Sequence, residues 1–587
     1  MILKNRIIKP FITKIRLLKL SAILVTTFLL LNCTNEKHPI PKPKSAKGTP
    51  TEVITEWQNQ KFSMFIHFGL YSVPGGIWNG QQITKGYSEQ IRAHANISKA
   101  DYRQLAKIFN PVKWNSDSIV QLAKSAGMKS VIITAKHHDG FALFKTNFSK
   151  FNITDATPYG RDLLLELSKA CQKYGLKFGV YFSLIDWDFE GALPPSSHNS
   201  DSIPPLHHQL NLDQVKELMS NYGPVSEIWF DMGKPTIIQS REIANLVKEL
   251  QPNCLISGRL WNDQGDFAVM GDNASPDFRM GQPWQTPASM FDETWGYRSW
   301  QVRKDPEGKA NEKIKSLIRT VTNGGNYLLN IGPAGDGSVV PFEKEVLLKM
   351  GKWINDHQAS FINSKPETSQ SQSWGTMASS GNKLFLFILN KPTGQTITVN
   401  GLYSKIESIS IEEKLDSLVK YKIVPSGTAI TFQKNAFQKI PIPVITIQLK
   451  ENVNIEPEGL LNLKSGNPIT LDEKNAIPYH SYSGKDYYST KPTTIKLEWN
   501  IRTDSIRDVK IQFNHAGNDN LNQYVITLNK SNLIPESADA QDGNKLNTQR
   551  FSGIQLQKGL NNITICLRDR SNPHQDIVLK NFTITID

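Results

Sequence analysis

Between residues 51 and 360 the chain repeats one pattern, a short apolar run followed by a longer amphipathic stretch. The runs are Phe62–Phe68, Ser130–Ala135, Lys177–Ser183, Glu227–Phe230, Cys254–Ser257 and Tyr327–Ile331. Each is apolar on both faces, as a strand must be when helices cover it on either side. Amphipathic stretches at Asp162–Tyr174, Leu212–Asn221 and Ile237–Leu250 supply such helices, and Pro341–His357 reads as a closing one. About 300 residues of alternating parallel strand and helix predict a (β/α)8 TIM-like barrel. The runs end in polar or aromatic groups: His67, His137-His138-Asp139, Asp186-Trp187, Asp231, Arg259 and Asn330. A parallel barrel opens every C-terminal strand end on one face, so these groups converge on one pocket.

Beyond residue 366 the period changes to two, as in Lys383–Leu389 and Val444–Leu449, and helical signals become scarce. The fold class is therefore α/β, a barrel over 51–365 followed by two β-sandwich domains at 366–455 and 456–587. Tyr479, Tyr482, Tyr487 and Tyr488 offer the last domain an aromatic platform for carbohydrate; ordinary edge-strand tyrosines are the alternative.

The formal charge of +13 invites a nucleic-acid reading, but its position argues against one. Residues 1–47 carry ten Lys or Arg against one acid, Glu36, which leaves only +4 for the rest. That basic start precedes the apolar run Leu20–Leu31 and the sequence Leu29-Leu30-Leu31-Asn32-Cys33. It resembles a bacterial lipoprotein signal over 1–33, with acylation expected at Cys33 and a proline-punctuated tether over 34–50. An uncleaved signal anchor is the alternative. Either reading exports the body to the periplasm or cell surface, with membrane contact only through the N-terminal anchor. With Cys33 set aside, Cys171, Cys254 and Cys566 are too few and too scattered for a disulfide framework or a cysteine metal site.

Five segments carry the chemistry. They are Phe65-Ile66-His67-Phe68-Gly69, Ala135-Lys136-His137-His138-Asp139-Gly140-Phe141, Glu227-Ile228-Trp229-Phe230-Asp231, Thr294-Trp295-Gly296-Tyr297 and Gly324–Pro333. In this order and at these intervals, across residues 52–360, they resemble the α-L-fucosidases of glycoside hydrolase family 29. The resemblance implies a retaining, exo-acting enzyme for terminal fucosyl residues of glycans, with Asp231 as nucleophile and no metal or cofactor. It implies sugar contacts for His67, His137, His138 and Arg259, with Tyr181 and Trp229 walling the pocket. Adjacent strand residues such as His137 and His138 point to opposite faces, although both can turn inward at a frayed strand end, and no acidic cluster or second paired histidine accompanies them, which disfavours a metal site.

The acid/base carboxyl is less evident. Family members often carry a glutamate in a Trp-Glu segment ahead of Trp-Gly-Tyr, whereas this chain has Pro283-Trp284-Gln285. An amide cannot give up and recover a proton, so Gln285 is expected to touch substrate rather than catalyse. Glu293 and Glu89 are the candidate acids. A fucose-binding relative without efficient turnover, or a barrel hydrolase for a related sugar, are the rival readings.

Overall fold

The computed structural model describes residues 49–196, 201–276, 278–412, 414–415, 419–433, 436–437, 440–464, 467–481, 493–515, 524–534, 537–539, 547–567 and 583–586. The signal segment, Cys33 and nearly all of the tether lie outside the described residues, as do Tyr482, Tyr487 and Tyr488.

Eight parallel strands follow one another in chain order around a curled sheet. They are β1 (Phe62–Ile66), β2 (Ser130–Lys136), β3 (Lys177–Ser183), β4 (Val225–Asp231), β5 (Leu255–Ile256), β6 (Ala268–Val269), β7 (Trp284–Ala288) and β8 (Asn326–Ile331). β8 returns to pair with β1, and a parallel bridge between Ser257 and Phe267 joins the β5 and β6 ends. Phe65, Ile132, Tyr181, Trp229, Leu255, Val269 and Leu328 point inward from seven strands and fill the barrel. Their neighbours Met64, Ile66, Ile133, Val180 and Ile228 point outward into the layer shared with the helices. Below the barrel, Trp57 of the N-terminal helix donates its indole N–H to Glu227 and its carbonyl accepts from Asn326.

The covering helices are α1 (Ser116–Ser125), α2 (Leu163–Tyr174), α3 (Pro205–Asn221), α4 (Ile237–Leu250), α5 (Pro306–Thr322) and α6 (Pro341–Asp356). Their ends follow local chemistry. Asp162 caps α2 by accepting from Leu165 N–H, Gly175 ends it in a left-handed turn, and Thr236 and Gln239 form a reciprocal cap on α4.

The barrel departs from eightfold repetition on one flank. Only a short 3-10 turn, Gly258–Leu260, separates β5 from β6, and a helix-free loop separates β6 from β7. There the strand Ile477–Ser481 of the last module lies against the loop. His480 donates to the Arg279 carbonyl at 2.9 Å and accepts from Gly281 N–H at 2.9 Å.

The first sandwich continues directly from α6. In its strand Lys383–Ile388, Leu384 and Leu386 enter the sandwich core while Phe385 and Phe387 join the barrel's outer layer. The run is thus buried on both faces rather than half-exposed. The second sandwich closes two sheets over Trp499, Ile511, Phe513, Ile563 and Ile584.

Candidate active site

One cavity opens at the C-terminal strand ends, lined by Phe65, His67, Glu89, His137, His138, Tyr181, Trp229, Asp231 and Arg259, together with Tyr87, Gln90, Met232, Asp272 and Trp295. Asp231, the last residue of β4, is the most constrained of them. Its Oδ1 accepts from Arg259 Nη1 at 2.9 Å and its Oδ2 from the Tyr181 hydroxyl at 2.9 Å. Burial favours the neutral acid, but the Arg259 cation and these hydrogen bonds outweigh it, and the carboxyl's pKa lies below its ordinary value. Asp231 is a buried, oriented carboxylate. The next residue, Met232, takes φ 59, a left-handed conformation unusual for a side chain of that size.

Three histidines face this carboxylate, all uncharged. Burial drives His67 and His138 down to about 4 and His137 well below its usual value. Their partners fix the tautomers of two. Asn330 Nδ2 donates to the Trp295 carbonyl, so Asn330 Oδ1 receives the His67 Nδ1–H at 2.7 Å. Ser183 donates its hydroxyl proton to the Ile185 carbonyl at 2.9 Å, so its oxygen accepts from His138 Nδ1–H at 2.8 Å. In both rings Nε2 keeps its lone pair. His138 Nε2 stands 4.0 Å from Asp231 Oδ2, with room for a hydroxyl rather than an ion pair. Rings with a free acceptor nitrogen, walled by Tyr181, Trp229 and Trp295, suit a polyol with one apolar face.

Two further carboxyls enter the cavity. Glu89 lies on a 3-10 turn, 2% exposed, where its Oε2 accepts from the backbone N–H of Gly296 at 2.7 Å and of Trp295 at 3.2 Å. Burial pushes its pKa up to about 7 in spite of these donors. A Cβ on Gly296 would come within 3.0 Å of both Glu89 and Tyr71, so only glycine lets the amide approach. Asp272 follows β6 and shares Arg259 with the first aspartate, accepting from Nη2 at 2.8 Å. Asn273, at φ 58, pins this turn to the end of β7 through Ser289.

Two sequence expectations are corrected. Glu293 is exposed and its side chain lies off the cavity, while its backbone carbonyl accepts from Arg298. Gln285 is fully buried inside the barrel, where it accepts from Trp229 Nε1 at 2.8 Å and donates to Glu227 at 3.5 Å. It orients a wall tryptophan and does not face the cavity. Asp272, by contrast, escaped the sequence reading because the two-residue strand before it carries no periodic signal. Among the described residues no group of three or more His, Cys, Asp or Glu is arranged to hold a metal ion.

An ionised, oriented aspartate beside a second carboxyl, at the rim of a parallel barrel and over a polyol-binding cavity, defines a glycoside hydrolase. The α-L-fucosidase family model matches residues 30–359, more than half of the chain, and the chain belongs to that family. The tissue α-L-fucosidase of Bos taurus is 28% identical over 433 residues, which cover 68% of this chain and 89% of that one. An α-L-fucosidase from Vibrio sp. strain EJY3 superposes with a TM-score of 0.63 at 24% identity, covering 92% of this chain and 98% of that one. A Bacteroides thetaiotaomicron α-L-fucosidase, solved as a trapped covalent intermediate with 2-fluoro-fucosyl fluoride, gives 0.60 at 24% identity over 69% of this chain and 98% of that one.

Proposed function

We propose that the enzyme is a retaining, exo-acting α-L-fucosidase that releases terminal fucosyl residues from glycans, with Asp231 as nucleophile. The observation that carries this reading is the grip of one guanidinium on two carboxyls. Adjacent nitrogens of Arg259 keep Asp231 and Asp272 close neighbours. That suits the ~5–5.5 Å pair of a retaining enzyme better than the ~6.5–9.5 Å pair of an inverting one, which must fit a water between. Asp231 attacks the anomeric carbon as the glycosidic C–O bond breaks, and the leaving oxygen takes the proton of Asp272, which must enter this step as the neutral acid and leaves it as a carboxylate. That carboxylate then takes a proton from water, whose oxygen attacks the anomeric carbon and frees Asp231. Glu89, whose pKa of about 7 leaves a proton available at neutral pH, donates to a sugar hydroxyl.

That same value makes Glu89 the rival for the acid/base role. Trapping with a 2-fluoro-fucosyl fluoride followed by peptide mass spectrometry tests the nucleophile, and the adduct is expected on Asp231. Azide separates the two candidate acids. Asp272→Asn is expected to lose about 10²–10⁴ in turnover of unactivated fucosides and to regain rate with azide on aryl fucosides. Glu89→Gln is expected to show neither. Rescue of Glu89→Gln alone reverses the two roles, and an adduct elsewhere than Asp231 overturns the mechanism.

A further inference from the structure

Lys136 ends β2 and immediately precedes His137 and His138, yet its side chain leaves the barrel by the outer wall. It is fully buried beneath α3. Its Nζ lies 3.5 Å from Asp186 Oδ2 and 3.4 Å from Asn211 Oδ1, over the face of Phe182. An ammonium is costly to bury, and an apolar side chain of the same volume often serves the fold equally well. None of the catalytic steps above uses it.

We propose that Lys136 is a positioning residue: by tying the end of β2 to the 183–189 segment through Asp186, and to α3 through Asn211, it sets the orientation of His138 against Asp231. This rests on the fucosidase reading of the pocket. The 183–189 segment grips His138 twice. Ser183 takes its ring N–H, and Trp187 N–H donates to its carbonyl at 2.8 Å. Asp186 sets the course of that segment, since its Oδ1 accepts from the backbone N–H of Asp188 at 2.9 Å and of Phe189 at 3.0 Å. There is no slack on the other side. Gly140 has φ 83, and a Cβ there would stand 2.1 Å from Asp186 Oδ1. Asn211 in turn donates to the Leu184 carbonyl at 2.9 Å, so both partners of the ammonium hold the segment that holds His138.

The charge acts with the geometry. Burial opposes protonation of His138 most, Lys136 and Arg259 add to it, and Asp231 favours it. His67 and His137 face the ring as neutral groups. Burial lowers the Lys136 pKa, and Asp186 and Asp139 on the surrounding loops oppose that and favour the ammonium, while His207 faces it from α3. Loss of the lysine charge therefore raises the His138 pKa. A protonated His138 can no longer accept from a sugar hydroxyl, so the acid limb of the rate profile moves to higher pH.

Lys136→Met and Lys136→Arg in the full-length enzyme test this with an aryl α-L-fucoside. The methionine variant is expected to melt within about 3 °C of the parent, because the replaced pair contributes little to stability. Its kcat should fall about tenfold to a hundredfold with KM little changed, as misplaced groups cost rate, and its acid limb should move up. Lys136→Arg should recover kcat to within about threefold. If the methionine variant does not fold, Lys136→Gln, which keeps a donor without the charge, is read the same way. Parent kcat with an unmoved acid limb overturns the proposal. So does a loss of kcat that follows the melting temperature with the limb unmoved, which is what a purely structural lysine would give. A parent enzyme inactive on fucosides would instead sink the fucosidase reading itself.

Discussion

Among the described residues a histidine stands beside a carboxylate at His138, His208 and His357, and the first and last of these rings shift in opposite directions. In the cavity His138 faces Asp231 at 4.0 Å and is neutral. At the seam between α6 and the first sandwich His357 meets Glu412 at 3.1 Å, and there the surroundings favour the charged imidazolium. The far nitrogen decides. His138 passes its one proton to Ser183 and keeps a lone pair for the cavity, whereas His357 Nδ1 faces the Trp353 carbonyl at 2.7 Å and Nε2 faces a carboxylate. Two acceptors require two protons. Burial alone lowers the His357 pKa, but the hydrogen bonds it donates to Glu412 and the Trp353 carbonyl more than reverse it. In the cavity burial wins, reinforced by the Lys136 and Arg259 cations. A histidine beside an acid is thus a switchable ion pair only where nearby cations do not already serve the acid.

The largest break in this comparison is removal of the cavity carboxylate. Asp231→Asn is expected to cut kcat/KM on aryl fucosides by about 10⁴-fold or more, as loss of a nucleophile does. Hydrolysis at the parent rate would end the assignment.

Next is the cation that makes the cavity pair unlike the seam pair. Arg259→Met removes the cation that keeps Asp231 ionised and adds to the burial that keeps His138 neutral. The Asp231 pKa should rise, so the acid limb of kcat/KM should move to higher pH while kcat/KM drops about a hundredfold. An acid limb unmoved in a pH series would refute the role of Arg259.

The smallest effect lies at the seam. His357→Ala and Glu412→Gln should leave kcat/KM unchanged and lower stability by about 1 kcal/mol, or ~2–4 °C in melting temperature. The sign with pH is definite, because the folded pKa of His357 lies above its unfolded value. The contribution is complete below the unfolded value near 6.5 and is lost as pH rises through the folded one. The gap in melting temperature between parent and His357→Ala should therefore close on the alkaline side. A gap that widens with pH would mean the ring is neutral in the fold.

How much of the site was legible in the chain follows the strength of the strand signal. β1 to β4 and β8 are long, apolar on both faces and flanked by helices, so the groups at their ends were readable: His67, His137, His138, Asp231 and Asn330. β7 reads Trp284-Gln285-Thr286-Pro287-Ala288, with polar residues and a proline, and β6 has two residues. Without those strands, Gln285 passed for a rim residue and Asp272 went unnoticed. The missing helix between β6 and β7 removed the other cue, since the strand carrying His480 takes its place from about 200 residues away in the chain.

The sequence alone determined the parallel barrel, the face on which its chemistry gathers and the aspartate at the end of β4. Strand periodicity and strand polarity are local properties, and they suffice for that. Only the tertiary structure decided which carboxyl joins Asp231, which histidines are neutral and why Gln285 stands behind the wall. Those outcomes depend on barrel closure, which brings Arg259 and Asp272 to Asp231 and takes the imidazoles out of water, and no local pattern encodes that meeting.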